Sequence, residues 1–331
     1  MIKAVCFDMF FTLADPHRHL EHTVSDVLNM TVEEWNHYFW EPRLADDRGL
    51  GVIRTEEELM ERIFSRMPGK VSKAKQKKAL QMHRERMRLA LCDVRPEILR
   101  MLKTLKERGY KVGLISNADI IDKAGWEESP MKPYFDDAIF SCDVGVVKPD
   151  RAIYEMSLEH LGVRPEEAVF VGDGGSQEHF GAKNAGMRTA RIEYIIRYRG
   201  KELKAIRPYA DHVIRRPMDL TVWLDILKRN GEDVLLPEKE TGKQYYTYLV
   251  RCADDTLYCG YTPSLYKRIC AHNNGEGAKY TRARGPVELC LWEVYADKQE
   301  AMRREWAIKQ MTREEKLRLI RAFEADKGVN T

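Results

Sequence analysis

Between residues 96 and 185 the chain switches repeatedly between two hydrophobic periods, and this alternation limits the fold more than any other feature. A helical stretch runs to Gly109. It is followed by an apolar strand at 111–115, a helical region, a strand at 137–140, a helix at 152–161, a strand at 168–171 and a helix at 176–185. Strand and helix patterns taken in turn argue a parallel, doubly wound α/β sheet. Residues 2–7 supply a further short apolar strand. Functional groups in such sheets gather outside the carboxyl ends of the strands. Asp8, Ser116, Lys148 and Asp173 all follow apolar strands or loops there.

Two other stretches depart from this alternation. From Thr23 to about Cys92 the pattern is helical, with a capping box expected at Thr31 and Glu34 and breaks at Gly49, Gly51, Pro68 and Gly69. Residues 229–244 are charged, contain Gly and Pro, and lack sustained periodicity, which marks a linker. Beyond it the sequence predicts strands near 245–251 and 256–261, a helix from about Ser264, a Gly-rich loop at 275–277, a strand at 288–295 and a long helix from Lys298. This is a small α+β unit. The expected division is 1–230, a linker at 231–243, a second domain at 244–323 and a tail at 324–331; a chain of 331 residues has room for two cores.

Composition excludes several classes. No run approaches the roughly 18 to 20 apolar residues of a membrane span, and the first residues lack the pattern of a secretory signal. A cytoplasmic protein with no membrane partner is expected. Seven scattered cysteines with no CxxC pair give no zinc or redox signature. The charge is uneven: residues 243–331 hold 16 Lys and Arg against 12 Asp and Glu, while the preceding part is close to neutral. A polyanionic partner for the C-terminal part follows from that bias.

Phosphoryl transfer through a covalent intermediate needs a carboxylate nucleophile, a divalent ion, and cationic or hydroxyl groups for the phosphate oxygens. In the N-terminal part Asp8 is placed to attack, Thr12, Ser116 and Lys148 to grip the phosphoryl group, and Asp173 and Glu178 to bind magnesium. The ordered segments Phe-Asp-Met-Phe-Phe-Thr-Leu, Leu-Ile-Ser-Asn, Val-Lys-Pro-Asp and Val-Gly-Asp-Gly-Gly-Ser-Gln-Glu resemble the haloacid dehalogenase-like (HAD) hydrolases over residues 1 to about 230. The resemblance implies a doubly wound core with a helical cap inserted at about 16–92, a phosphorylated small molecule as substrate, and Mg2+ held by Asp8, Asp173, Glu178 and the backbone carbonyl of Phe10.

One position departs from that family. Its phosphatases usually carry a second Asp two residues after the nucleophile, as acid for the leaving group and later as base for water, whereas this chain has Phe10 followed by Phe11. General acid–base help, typically about 10²–10⁴-fold, is missing at that position. A weak or specialised phosphatase is expected, for which a good leaving group such as an acyl phosphate suffers least. Dehalogenases of the superfamily also lack the second Asp, but they generally lack the metal-binding acids retained here.

Phosphodiester cleavage needs a nucleophile freed of its proton, a metal that polarises the phosphate, and a cation for the developing charge. Glu305 shares a helical spacing with Ala301 and Ile308, which turns this carboxylate inward, and Arg268 and His272 sit four apart on one predicted face. The segments Tyr-Tyr-Thr-Tyr, Leu-Tyr-Cys-Gly-Tyr-Thr, Tyr-Lys-Arg-Ile-Cys-Ala-His-Asn, Gly-Ala-Lys-Tyr-Thr-Arg and Arg-Arg-Glu-Trp-Ala-Ile-Lys resemble the GIY-YIG endonucleases, closest to their short stand-alone bacterial members, over about 244–323. That resemblance implies DNA cleavage in which Tyr248 is the general base or its relay, Tyr258 begins the second tripeptide, Arg268 and His272 belong to the helix motif, and Glu305 is the single ligand of Mg2+ or Mn2+. Lys267, Lys279, Arg282 and Arg284 are expected to track a nucleic-acid backbone, with Tyr266 and Tyr280 interleaved for stacking. A nucleic-acid-binding regulatory protein with a catalytically silent HAD domain is the alternative.

Overall fold

The computed structural model describes residues 1–18, 23–229 and 244–327, so the expected linker and the end of the tail lie outside the described residues. Two compact units are present, Lys3–Arg215 and Arg216–Thr331 with Met1–Ile2.

The first unit is built on a six-stranded parallel sheet: β1 (Ala4–Phe7), β2 (Lys111–Ser116), β3 (Asp137–Phe140), β4 (Ala168–Gly172), β5 (Arg188–Ile192) and β6 (His212–Ile214), in the order β3-β2-β1-β4-β5-β6. This is the doubly wound α/β sheet expected. β1 is entirely buried, as its Ala-Val-Cys-Phe sequence requires of a central strand. Its register sets Phe7 opposite Leu114 of β2 and Val171 of β4. The carboxyl ends of the three strands therefore come out together, and the strand order reverses there, where α/β sheets open a crevice. Asp8, Ser116 and Asp173 emerge on that one edge.

β5 and β6 were not anticipated. Arg188, Arg191 and His212 interrupt their apolar pattern, yet Arg191 is buried and ion-paired to Glu193. The helix expected from 176 starts at Glu178, because Ser176 and Gln177 adopt left-handed φ values of 49° and 50° and close a turn after Asp173.

The cap consists of helices Val24–Leu28, Val32–Phe39, Pro42–Gly49, Glu56–Phe64 and Lys73–Cys92. The expected capping box forms: Glu34 N donates to Thr31 Oγ1, and Thr31 N donates to Glu34 Oε2. Trp35, Phe39, Leu59, Ile63 and Met87 give the cap its own core. Arg48 reaches from the cap to Asp119 in the loop after β2, with Nε 2.7 Å from Oδ2, and donates to the Phe39 carbonyl at 2.8 Å.

The second unit contains an antiparallel sheet, β7 (Tyr245–Arg251), β8 (Leu257–Thr262) and β9 (Glu288–Tyr295), in the order β8-β7-β9. The helix Leu265–Asn273 follows β8 as expected, while the long helix expected from Lys298 is two helices, Lys298–Gln310 and Arg313–Asp326. Thr312 separates them by capping the second: its Oγ1 accepts from Glu315 N, and its own N donates to Glu315 Oε2.

The helix Asp219–Lys228 lies on β9, although the sequence reading carried it with the N-terminal half. All its residues but Lys228 are buried, so periodicity shows that it is interior without showing in which unit. Asp225 Oδ2 accepts from Leu289 N at 3.0 Å, and beyond the helix Arg229 donates to the Cys290 carbonyl and pairs with Glu288 and Glu324. All seven cysteines are free. Among the described residues no helix is long and apolar enough to cross a membrane.

Candidate active sites

In the first unit, four buried charges meet at the carboxyl edge of the sheet. Lys148 Nζ lies 2.6 Å from Asp8 Oδ1 and 2.8 Å from Glu178 Oε2. Asp8, Asp173 and Glu178 can present oxygens within 4.8 Å of one another. Glu178 Oε1 also accepts from Gly174 N, and Asp173 accepts from the Tyr198 hydroxyl at 2.7 Å and from Gly175 N at 3.1 Å. Gly172 is required here, because a Cβ would overlap the Glu178 carboxylate.

One ammonium thus faces three buried carboxyls. Desolvation raises the Asp8 carboxyl above its ordinary range, with Lys148 opposing, and raises Glu178 well above its own. Burial works against the Lys148 ammonium, but Asp8 and Glu178 outweigh it and its pKa rises. The uncompensated charge and the all-oxygen donor set fit a hard divalent cation such as magnesium.

A cavity of about 450 Å³ lies between this edge and the cap, lined by Asp8, Lys148, Asp173 and Glu178 at one end. Phe10 and Phe11 both line it, and Phe11 holds a left-handed φ of 60°. Thr12 and Ser116 are fully buried and are not among the lining residues. The Ser116 hydroxyl makes a long 3.5 Å contact to the Asn117 carbonyl.

In the second unit, Tyr248, Arg268 and His272 converge. The Tyr248 hydroxyl accepts from Arg268 Nε at 3.3 Å and lies 2.8 Å from His272 Nε2. His272 Nδ1 lies 2.6 Å from Thr281 Oγ1, whose own hydrogen is directed to the Ala278 carbonyl at 3.0 Å. Thr281 must therefore accept from Nδ1–H, which leaves Nε2 unprotonated and ready to accept from Tyr248. Burial lowers the His272 pKa to about 4, keeping the ring neutral, and raises that of Tyr248, against the pull of Arg268. Gly260 pairs with Tyr248 across β7 and β8, and a Cβ there would stand 2.5 Å from the Tyr248 hydroxyl oxygen. The glycine of the second tripeptide makes room for the tyrosine of the first.

Tyr258 stacks on Tyr280 with centroids 5.8 Å apart, and the Arg284 guanidinium lies 4.4 Å from the Tyr280 ring. Lys267, Lys279, Tyr280 and Arg282 are exposed, whereas Tyr266 is buried and offers no face for a base. Glu305 shares its helix face with the fully buried Ala301 and Ile308, as its spacing predicts. Its side chain is 16% exposed and pairs with Lys309 at 2.7 Å, and its carbonyl lies 3.8 Å from Cys259 Sγ in β8. A lone carboxylate suits an ion that keeps most of its ligands as water and phosphate oxygens, as magnesium does.

Residues 2–186 match the haloacid dehalogenase-like hydrolase family, which is more than half of the chain. The chain belongs to the haloacid dehalogenase-like hydrolases. Residues 244–318 match the GIY-YIG catalytic domain, so this HAD chain carries a second hydrolytic enzyme domain. A UPF0213 protein of Clostridium perfringens (strain 13 / Type A) is 56% identical over 75 residues, 23% of this chain and 81% of that protein. One from Staphylococcus haemolyticus (strain JCSC1435) is 49% identical over 77 residues, 23% and 94% respectively. The solved 2-haloacid dehalogenase from Pseudomonas syringae pv. Tomato DC3000 is 24% identical with a TM-score of 0.49, covering 69% of this chain and 99% of that one. A predicted phosphoglycolate phosphatase from Haemophilus somnus 129pt is 18% identical with a TM-score of 0.48, covering 66% and 96%.

Sequence reasoning passed over four residues that hold these sites. In the HAD unit, Asn117 fixes the Lys148 backbone by accepting from its N–H at 2.7 Å and donating to its carbonyl at 3.0 Å, and the Tyr154 hydroxyl donates to the Glu178 carbonyl. Tyr198 binds Asp173. In the GIY-YIG unit the missed residue is Thr281. Asn117 and Thr281 stand within the quoted segments Leu-Ile-Ser-Asn and Gly-Ala-Lys-Tyr-Thr-Arg, which was the available signal.

Proposed function

We propose that the chain is a bifunctional hydrolase whose GIY-YIG unit cleaves DNA phosphodiesters and whose HAD unit acts on a phosphorylated small molecule in the cytoplasm. The observation that carries the nuclease reading is the Tyr248 hydroxyl held between Arg268 and a neutral His272. His272 Nε2 takes the Tyr248 proton, and the phenolate so formed takes one from the attacking water. The Arg268 guanidinium stabilises the phenolate and the charge growing on the phosphate. Glu305 would hold one magnesium or manganese ion, which supplies further positive charge to the phosphate oxygens. Lys267, Lys279, Arg282 and Arg284 bind the DNA backbone, and the exposed Tyr280, backed by Tyr258, offers a base-stacking platform.

In the HAD unit the Asp8 carboxylate attacks phosphorus while Lys148 neutralises the phosphoryl oxygens. Asp8, Asp173, Glu178 and the Phe10 carbonyl would hold magnesium, which supplies charge neutralisation at the same oxygens. Thr12 and Ser116 complete the phosphate grip. The acid usual at position 10 is absent, in keeping with a weak or specialised phosphatase.

The test is cleavage of labelled single-stranded, duplex and branched DNA with magnesium or manganese, beside Glu305→Ala and Asp8→Ala variants. Loss of cleavage in Glu305→Ala alone supports the nuclease assignment. No cleavage across the panel overturns it in favour of a nucleic-acid-binding regulator. For the HAD unit, Phe10→Asp is expected to raise phosphomonoesterase turnover. No rise in a folded, magnesium-binding variant sinks the missing-acid account.

A further inference from the structure

We propose that the HAD cavity takes aryl phosphates, monoesters whose leaving group is a flat aromatic ring that departs as an aryloxide without receiving a proton. This rests on the phosphatase reading and specifies its substrate. Two features of the cavity meet in it.

The first is shape and lining. A space of about 450 Å³ accommodates a small organic molecule. Its phosphate end is charged, and the rest of the lining includes Phe10, Trp35, Phe39 and Trp40 together with polar groups such as Asn36, Arg86 and Asp122. Trp40 is 62% exposed and Val32, also on the lining, is 51% exposed. Large apolar side chains left this wet at a cavity are sites where an apolar ligand removes surface from water. The wall is braced: the Arg48 guanidinium lies 3.7 Å from the Phe39 ring centroid and 5.1 Å from that of Trp40, and Asp119 anchors Arg48. A braced aromatic surface loses little freedom on binding.

The second is chemical. Phe10 stands where an acid would protonate the departing oxygen, and it lines the same space as the aromatic wall. An Asp8 carboxylate oxygen forms a bond to phosphorus, the bond from phosphorus to the aryl oxygen breaks, and its electron pair leaves with that oxygen. The ring delocalises the charge, so no proton is needed at that step. Water then attacks the phosphorus of the aspartyl phosphate and gives its proton to solvent, releasing inorganic phosphate and restoring Asp8. Described cavity residues outside this scheme that could donate a proton include His17, whose ring lies 5.0 Å from that of Phe11, and Asp122, whose carboxyl pKa burial pushes up to about 7.

The experiment uses the full chain with magnesium and a set of substituted phenyl phosphates of graded phenol acidity, with 1-naphthyl phosphate, acetyl phosphate and an alkyl phosphate. Rates are expected to climb steeply with phenol acidity. Phe10→Asp is expected to lift the poorest leaving groups by about 10²–10⁴-fold and the best ones far less. Trp40→Ala, at an exposed position, is expected to raise the KM ratio of naphthyl over acetyl phosphate by about two- to tenfold. A shallow dependence on phenol acidity, a Trp40→Ala ratio equal to wild type, or a selective loss of poor leaving groups in His17→Ala or Asp122→Asn overturns the proposal while leaving the phosphatase standing. Failure to release phosphate from any ester or to phosphorylate Asp8 overturns the phosphatase reading itself.

Discussion

Replacing Thr281 with valine keeps the shape of a fully buried side chain and removes one oxygen. That oxygen accepts from His272 Nδ1–H at 2.6 Å and spends its own hydrogen on the Ala278 carbonyl. Without it, His272 has two courses. It keeps its proton on Nδ1 as a buried, unmatched donor, which costs about 1–3 kcal/mol. Otherwise it moves the proton to Nε2, which then donates to Tyr248 and cannot take the tyrosine proton. In the first case the imidazolium that forms as Nε2 takes the tyrosine proton lacks its acceptor, and in the second the reactive tautomer lies above the populated one. Either way the barrier rises by about 1–3 kcal/mol and the chemical step slows by about 5- to 150-fold. Single-turnover cleavage of a labelled duplex at saturating enzyme reads that step, and a gel shift without divalent metal reads binding, which is expected to stay unchanged. Thr281→Ser restores the oxygen and most of the rate. A folded Thr281→Val protein that cleaves at the wild-type single-turnover rate refutes the tautomer argument.

Further expectations follow from other contacts. Gly172→Ala drives a Cβ into the Glu178 carboxylate; phosphatase activity and magnesium binding by the HAD unit should fall together while DNA cleavage persists, and retained magnesium affinity by calorimetry would count against it. His272 has a folded pKa of about 4 against an ordinary 6.5, so the unfolded chain binds its proton more readily. Its stabilising contribution is complete above pH 6.5 and is lost as pH falls towards 4, about 3 kcal/mol in all. Urea midpoints of wild type and His272→Gln should converge on acidification, and parallel midpoints from pH 7 to 4.5 would contradict the sign. Arg229→Met removes a guanidinium that is 1% exposed from Glu288, Glu324 and the Cys290 carbonyl, and should cost about 3 kcal/mol. An unchanged unfolding transition of the C-terminal unit would show that solvent already screens those carboxylates.

What could be read from the sequence divides along physical lines. The central strands were legible because strands buried on both faces must be apolar throughout, as in Val5-Cys6-Phe7 and Val169-Phe170-Val171. β5 and β6 were not, because Arg191 and His212 are buried there despite their polarity. Arg268 and His272 were legible through helical spacing, and Glu305 through its apolar neighbours one turn away on each side. The partners that orient them come from elsewhere in the chain: Thr281 from nine residues past His272, and Tyr198 from 25 residues past Asp173. No period links such pairs, since loop geometry brings them together. Tyr266 shows the opposite error: its alternation with basic residues reads as a nucleic-acid surface, while the fold uses it as core.

The helix Asp219–Lys228 has a consequence for anyone who would separate the two enzymes. The GIY-YIG match begins at residue 244, which invites a gene fragment starting at that codon. Such a fragment omits the side chain that caps Leu289 N, the guanidinium bonded to the Cys290 carbonyl, and Asp219, which accepts from Asn274 at 2.8 Å. It would expose the back of β9 to water and to other copies of itself, as sticky as any unfinished sheet. Cutting at codon 216 keeps that layer, so the second enzyme carries its own lining upstream of the border by which its kin are recognised.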